Sequence, residues 1–314
     1  MSFPHLKFDR SIPAAAFALT AALALFWGLS WPLMKLALTE MPPLRFRAFS
    51  IGVGGIGLLV IALASGASMK ITRQSFWRIS GVALFSTIGW SLCMAYGLRL
   101  MESGRAVILA YTFPVWSVPL SAWILKEPLT PRRLLGLVLG MVGLGLLLGD
   151  EIFAVGRAPL GATLMFATAA CWALGTILAK KWSVPVPAST FTAWLNLIAL
   201  VPMLALSMLL EEGPFLPFGL STGPMIGAIY SGLFASLLCQ WAWFKLITIT
   251  TATVASLAIL SVPIVGVFCS LLVLREIPRF TDYAALLFVV GSLVTVVLPA
   301  RSIPRRTKRA PADT

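Results

Sequence analysis

Long apolar runs, separated by short polar segments, dominate the pattern of the chain. Each run is about 16 to 25 residues long, the length of a helix that crosses a hydrocarbon core of about 30 Å. None shows the alternation of apolar and polar residues that is typical of a membrane β-strand. The pattern predicts an all-α polytopic membrane protein with ten transmembrane helices, at residues 14–38, 44–65, 80–98, 104–125, 134–149, 160–179, 189–210, 225–246, 251–274 and 283–300.

Composition supports this interpretation. The 314 residues are 59% hydrophobic and 11% charged, with a mean hydropathy of +0.94, whereas soluble domains are about 45–50% apolar. The fifth predicted helix is short and the eighth and ninth nearly touch, so nine helices are the main alternative. The first run is too long for a signal peptide, and we interpret it as the first helix.

The net charge of +13 predicts an orientation in the membrane rather than a nucleic-acid partner. With ten helices and a cytoplasmic N-terminus, most of the 24 lysines and arginines fall on the cytoplasmic side, as the positive-inside rule requires. The basic tail then lies against anionic headgroups. A basic stripe interleaved with exposed aromatic residues would indicate nucleic-acid binding. The sequence has no such stripe.

The two halves of the chain repeat each other. Two spaced pairs carry the repeat: Trp27 and Lys35 recur as Trp172 and Lys180 (172 − 27 = 180 − 35 = 145), and Pro114 and Glu127 recur as Pro263 and Glu276 (127 − 114 = 276 − 263 = 13). Because five helices are an odd number, the second half enters the membrane from the opposite side. We predict two inverted five-helix repeats, at 10–150 and 157–300, followed by a basic cytoplasmic tail at 301–314. A duplication that serves only packing is the alternative.

These motifs, with Lys126 before Glu127 and Arg275 before Glu276, resemble the EamA-type members of the drug/metabolite transporter superfamily, and most of all the YddG-type amino acid exporters. The resemblance implies a central cavity formed by helices one to four and six to nine, with the fifth and tenth peripheral. It also implies residence in a bacterial-type inner (plasma) membrane, cytoplasmic N- and C-termini, and export.

The interiors of the predicted helices hold aromatic and neutral polar side chains but no carboxylate at mid-depth, which argues against a buried proton or sodium relay. A cavity without fixed charge favours a zwitterion or a neutral amphiphile, because ring faces attract an ammonium group. For each ring, packing is the alternative interpretation. The candidate substrate-binding residues are Trp27, Ser30, Trp90, Tyr96, Tyr111, Trp172, Thr176, Asn196, Gln240 and Trp243.

Two prolines and two glutamates are candidates for hinges and gates. Pro114 and Pro263 each remove one backbone hydrogen bond from a predicted helix, which allows bending. Glu127 and Glu276 end equivalent helices in the two halves. Simple kinks, and local ion pairs with the preceding basic residue, are the alternative interpretations.

The chain lacks the residues that an enzyme site would need. His5 lies in the amino-terminal tail, and the four cysteines lack the spacing of a metal site. We predict a carrier rather than an enzyme, with no catalytic residue, cofactor or metal. Its expected partners are an amino acid-like solute and the lipid bilayer, as a monomer or weak dimer.

The predicted activity is export of aromatic and other neutral amino acids, or of similar small metabolites, by alternating access with facilitated flux or exchange. An exporter of drugs, bases or other neutral metabolites of the same superfamily is the alternative.

Overall fold

The computed structural model describes residues 14–126, 131–153, 158–249 and 252–297, and the regular elements in these ranges are helical. Glu127, one of the candidate gates, lies outside the described residues. The elements are α1 (Ala14–Glu40), α2 (Pro43–Ala64), α3 (Arg73–Ala83), π1 (Leu84–Gly89), α4 (Trp90–Leu100), α5 (Ser103–Ala110), α6 (Phe113–Ile124), α7 (Pro131–Phe153), α8 (Ala158–Lys181), α9 (Ala188–Leu210), α10 (Thr222–Tyr230), π2 (Ser231–Cys239), α11 (Gln240–Ile249), α12 (Ala252–Leu274) and α13 (Phe280–Val297).

Several stretches of the chain, some made of two or three consecutive helical elements, are long and apolar enough to cross a membrane. Within the described ranges there are seven such stretches, and three shorter apolar helices accompany them at Leu134–Gly143, Val262–Leu274 and Phe280–Ser292. A stretch of about 22 residues rises about 33 Å as an α-helix, enough for a hydrocarbon core. The chain is therefore an all-α polytopic membrane protein.

Two of the long stretches contain a π-helical segment at equivalent places in the two halves. In the first half π1 separates α3 from α4, and in the second half π2 separates α10 from α11, with starts 147 residues apart (231 − 84 = 147). A π segment shifts the backbone hydrogen bonds by one residue and is frequent at functional sites. Neighbouring helices approach these segments at glycines: a Cβ on Gly175 would lie 2.7 Å from the Ser86 nitrogen, and one on Gly54 would lie 2.6 Å from the Ser236 oxygen.

The predicted helix at 104–125 is one span divided into two helices. Tyr111 and Thr112 form a turn between α5 and α6, and Pro114 occupies the first turn of α6. Proline fits there because the first turn of a helix needs no backbone N–H donor. Its counterpart Pro263 lies inside α12, which continues past it. The two equivalent prolines therefore have different backbone roles.

Equivalent helices of the two halves pack against each other. The second helix of each half forms the pair α2 with α9, and the fifth helix of each half forms the pair α7 with α13. Self-pairing of equivalent elements is the arrangement that a two-fold axis produces. In the second pair, Ser292 Oγ donates to the Gly136 carbonyl oxygen at 2.6 Å. The face of α7 that carries Gly136, Gly140 and Gly143 therefore packs against α13.

The repeat is also visible in the backbone at two helix ends. Lys126, after α6, and Arg275, after α12, have φ values of 54° and 57°, in the left-handed region that non-glycine residues rarely adopt. They are 149 residues apart (275 − 126 = 149), the same offset as Glu127 and Glu276. The two halves therefore share a local backbone conformation as well as a sequence pattern.

Candidate substrate cavity

A cavity lies among helices of both halves. The centres of water molecules can occupy about 110 Å³ of it, and one water needs about 10–15 Å³, so it has room for several waters or part of a small solute. Its wall is mainly aromatic and neutral polar. The lining residues are Trp27, Ser30, Trp31, Met34, Arg47, Ser86, Thr87, Trp90, Ala110, Tyr111, Phe113, Trp172, Ala235, Ser236, Gln240 and Trp243.

The two tryptophans that mark the sequence repeat both line this cavity. Trp27 on α1 donates from Nε1 to the Ala235 carbonyl oxygen at 3.3 Å, and its ring centroid lies 6.1 Å from that of Trp243. Trp172 on α8 lies 6.3 Å from Trp90 by the same measure. Each of these two pairs therefore joins one tryptophan of the first half to one of the second half.

Polar candidates on the wall are held in place by neighbouring groups. Ser30 Oγ donates to the Trp27 carbonyl oxygen at 2.6 Å, and Gln240 Oε1 accepts from Asn196 Nδ2 at 2.8 Å. Tyr111 reaches the wall because the chain breaks between α5 and α6 at that residue. Asn196 is buried behind the wall, where it orients Gln240.

Besides Asn196, two predicted substrate-binding residues are not part of the wall. The Tyr96 hydroxyl donates to Glu211 Oε1 at 2.9 Å, near the ends of α2 and α9. Thr176 is exposed, and its hydroxyl donates to the Trp172 carbonyl oxygen at 2.8 Å. The hydrogen bond of this hydroxyl is therefore made within α8. Hydropathy indicates how deep these residues lie in a helix but not the direction of their side chains.

Arg47 corrects the expectation of an uncharged cavity. Its side chain lines the wall, and the residue is 5% exposed. Arg45, two residues earlier, instead donates to the carbonyl oxygens of Glu211 and Gly213. Residues two apart on an α-helix point about 200° apart, so one arginine faces the loops and the other faces the cavity. Both lie near the start of the second predicted helix, at 44–65.

Glu276 joins the two halves at one end of the bundle. Its carboxylate accepts from the Ser103 and Gly104 backbone nitrogens at 3.0 and 3.1 Å, and from Ser103 Oγ at 2.8 Å. These groups form the N-terminus of α5, where the helix dipole favours a negative charge. The alternative of a local ion pair with Arg275 does not describe the contacts of this side chain.

Other contacts close the same end. Glu211 accepts from the Leu44 and Arg45 backbone nitrogens, at the N-terminus of α2. Lys35 donates from Nζ to the carbonyl oxygens at the end of α4, those of Leu98, Arg99 and Met101. Burial raises the pKa of Glu102, in the link from α4 to α5, and the Glu276 carboxylate raises this pKa further.

Comparison with known proteins identifies the family. The model of the EamA-like transporter family matches the chain twice, at residues 14–149 and 159–298. The chain belongs to the EamA-like transporter family. It is thus a multi-pass membrane transporter and not an enzyme, and a transporter of this family takes a small-molecule substrate.

Relatives of this EamA-like transporter carry transport names. The uncharacterized transporter YoaV of Bacillus subtilis is 25% identical, over 81% of this chain and 87% of its own length. A probable amino-acid metabolite efflux pump of Salmonella typhimurium is 26% identical, over 93% and 97%. The aromatic amino acid exporter YddG of Ancylobacter novellus is 26% identical, over 49% and 56%. A protein crystal structure has the same fold, with a TM-score of 0.66 and 20% identity over 90% of this chain and 96% of that one.

The cavity of the EamA-like transporter is lined from nine of its described elements. Among the described side chains, the lining residues lie on α1, α2, π1, α4, α5, α6, α8, π2 and α11, and Tyr111 lies between α5 and α6. None of these side chains belongs to α7 or α13, the fifth helices of the two halves. The resemblance had implied that these two helices are peripheral.

Proposed function

We propose that this transporter exports aromatic and other neutral amino acids, or similar small metabolites, from the cytoplasm by alternating access. Ten transmembrane helices form two inverted repeats, and the cavity between the repeats is the substrate site. The protein resides in a bacterial-type inner membrane with both termini in the cytoplasm. Transport is facilitated diffusion or exchange.

One observation carries the proposal: the repeat-equivalent tryptophans Trp27 and Trp172 face one cavity. A site at the interface of two inverted copies can open to either side of a membrane by similar movements of each copy. The hydrogen bonds of Glu276, Glu211 and Lys35 tie helices together at the α1 C-terminal end. We infer that these contacts form the gate at the outer face, and that breaking them accompanies opening.

The proposed substrate class follows from the wall and from the names of relatives. Aromatic side chains bury an apolar or aromatic body at about 25 cal/mol per Å². Two relatives, in Salmonella typhimurium and Escherichia coli, are named probable amino-acid metabolite efflux pumps, and a third is named an aromatic amino acid exporter. These names describe the relatives, and they support the proposal by similarity.

Counterflow in proteoliposomes tests the activity. Liposomes that hold purified protein and unlabelled amino acid should accumulate radiolabelled phenylalanine, methionine or threonine, while protein-free liposomes should not. Absence of counterflow for all three would reject amino acids as substrates. Counterflow of bases or cationic drugs in the same liposomes would then support the alternative within the superfamily.

The same liposomes test the coupling. No carboxylate lies near the middle of any predicted helix, so we expect counterflow to persist without an imposed proton or sodium gradient. A strict requirement for either gradient would contradict facilitated diffusion and exchange.

A further inference from the structure

Arg47 places a positive charge in the wall of the cavity. It lies four residues after the start of α2 (47 − 43 = 4), about 6 Å along the helix axis. A charged side chain this far inside a bundle is costly and usually marks a solute pathway or a ligand site. The residue is 5% exposed, and the surface that remains faces the cavity.

Within the described part of the chain, no acceptor or carboxylate neutralises this guanidinium. Its Nε is buried without a hydrogen-bond partner, and the salt bridge found there, between Arg105 and Asp282, does not involve it. Its contacts are with rings: Cζ lies 5.0 Å from the Trp90 centroid and 5.9 Å from the Phe46 centroid. A ring face attracts a cation but does not replace an oxygen acceptor for the N–H donors of arginine.

Two other buried or half-buried cations have oxygen partners. Lys35 Nζ donates to three backbone carbonyl oxygens, at 2.6 to 3.1 Å. Arg105 Nε lies 2.7 Å from Asp282 Oδ1. Neither of them lines the cavity. Arg47 therefore differs from both, because it faces the cavity and its donors are left for a group that the described residues do not supply.

Among the described residues, the wall of the cavity has no matching negative charge. None of the described lining residues is aspartate or glutamate, so an ammonium group would find ring faces and carbonyl oxygens on this part of the wall but no carboxylate. A carboxylate would instead find a guanidinium, whose planar fork binds carboxylates through two parallel hydrogen bonds. The asymmetry favours solutes with a carboxylate, whether or not they carry an amine.

We propose that Arg47 binds the carboxylate of the transported solute beside the Trp90 ring, and that the cavity selects monocarboxylates with an aromatic or apolar body, for which an amino group is dispensable. This inference rests on the proposed function, because it assumes that the cavity is the substrate site. It extends the substrate class from amino acids to acids of the same body without the amine.

Three probes with one phenyl body test the charge preference: phenylalanine, 3-phenylpropionate and phenylethylamine. Isothermal titration of the full-length protein in lipid nanodiscs should give 3-phenylpropionate an affinity at least equal to that of phenylalanine. Phenylethylamine should bind at least tenfold more weakly, because it lacks the carboxylate. Equal or tighter binding of phenylethylamine would overturn the proposal.

Variants of Arg47 separate recognition of charge from packing. Arg47→Lys should keep the order of the three probes with weaker binding, because a lysine offers a point charge instead of a fork. Arg47→Gln should lower affinity for the two carboxylates at least tenfold and leave phenylethylamine unchanged. The matched control Arg73→Gln, at an exposed arginine at the start of α3, should change none of the three affinities.

Two results with these variants would contradict the proposal. One is an equal loss of affinity for all three probes in Arg47→Gln, which would assign the side chain to packing. The other is an Arg47→Gln variant that keeps the carboxylate preference. If Arg47→Gln does not fold, the probe order in the wild type and in Arg47→Lys still decides the outcome.

Counterflow distinguishes this proposal from the proposed function. Tight binding of the carboxylates in nanodiscs, with no counterflow of any solute, would reject transport of this class and keep the Arg47 site. Counterflow of phenylalanine by a protein that binds phenylethylamine as tightly as 3-phenylpropionate would support transport of amino acids and reject the Arg47 site.

Discussion

At the residue scale, the cavity wall depends on a few rings whose positions are fixed by neighbours. Trp172 and Trp90 lie side by side, and Arg47 lies over the Trp90 ring. Trp27 is held by its hydrogen bond to the Ala235 carbonyl oxygen. These side chains combine apolar surface with fixed orientation, which is what a small amphiphilic solute requires of its site.

Replacement of Trp172 by alanine tests this role. Trp172→Ala should lower counterflow at least tenfold while the folded yield after purification stays near that of the wild type. We expect this loss because the proposed site places the ring against the solute as well as against Trp90. Trp77, which is 63% exposed on the outside of α3, gives the matched control, and Trp77→Ala should leave counterflow unchanged. A loss of folded yield in parallel with activity would assign the Trp172 ring to packing.

The buried ion pair between Arg105 and Asp282 makes a second prediction at this scale. Asp282 also accepts from the Arg279 backbone nitrogen at 2.8 Å, near the start of α13. Removal of one partner leaves an unpaired buried charge, and we expect Asp282→Ala to lower the free energy of unfolding by about 3–5 kcal/mol. Unfolding by SDS in mixed micelles measures this change.

The double variant Arg105→Met with Asp282→Ala is the control for that prediction. It removes both charges, so it should lose less stability than the sum of the two single variants. Additive losses, or a single variant as stable as the wild type, would show that the pair is not the source of the stability.

Sequence alone predicted seven of the ten candidate binding residues at the wall, because tryptophans and polar groups deep in apolar runs stand out from their neighbours. Arg47 was missed for a physical reason. Hydropathy gives the depth of a residue near a helix start but not the face on which it lies, and Arg45 beside it does face the loops. A helical projection of α2 would have shown that Arg47 and Arg45 lie on different faces, because residues two apart point about 200° apart.

At the scale of elements, Glu276 connects a loop of the second half to the N-terminus of α5 in the first half. Charge-assisted hydrogen bonds contribute about 1.5–3 kcal/mol each, and about 1.4 kcal/mol changes an equilibrium tenfold. A state in which these bonds exist is therefore favoured over a state in which this end of the bundle opens.

Glu276→Ala should shift that equilibrium towards the open end. The readout is labelling of Met34→Cys, a position buried on the cavity wall, by a membrane-impermeant maleimide in protein without its native cysteines. Labelling from the proposed outer face should be at least about tenfold faster in Glu276→Ala. Glu212→Ala, at an exposed glutamate, should be labelled at the same rate as the Met34→Cys protein that keeps both glutamates. Equal rates in both variants would remove the gating role of Glu276.

The π segments and the division of the fourth span were not predicted. Hydropathy reports whether a residue is apolar, whereas π1 and π2 differ from an α-helix only in the register of their backbone hydrogen bonds. Pro114 did signal a change at the right place. It could not show whether the chain would bend there or begin a new helix, and α12 continues past the equivalent Pro263.

At the scale of the whole molecule, the account depends on two related halves around one cavity. The sequence offset between Trp27 and Trp172 indicated the duplication, and the family match at 14–149 and 159–298 places one unit in each half. The pairs α2 with α9 and α7 with α13 add a two-fold packing of equivalent helices. The repeat could be read from the sequence because its spacing extends over the full chain and does not depend on local geometry.

The opposite orientation of the two halves is the claim on which alternating access depends. Lys126 and Arg275 test it most directly, because both are exposed, follow equivalent helices and share one backbone conformation. Single cysteines at these positions, in protein without native cysteines, are labelled in sealed cells by a membrane-impermeant maleimide. We expect Arg275→Cys to label from outside and Lys126→Cys to label only after the membrane is opened. Labelling of both positions from the same side would contradict the inverted repeat.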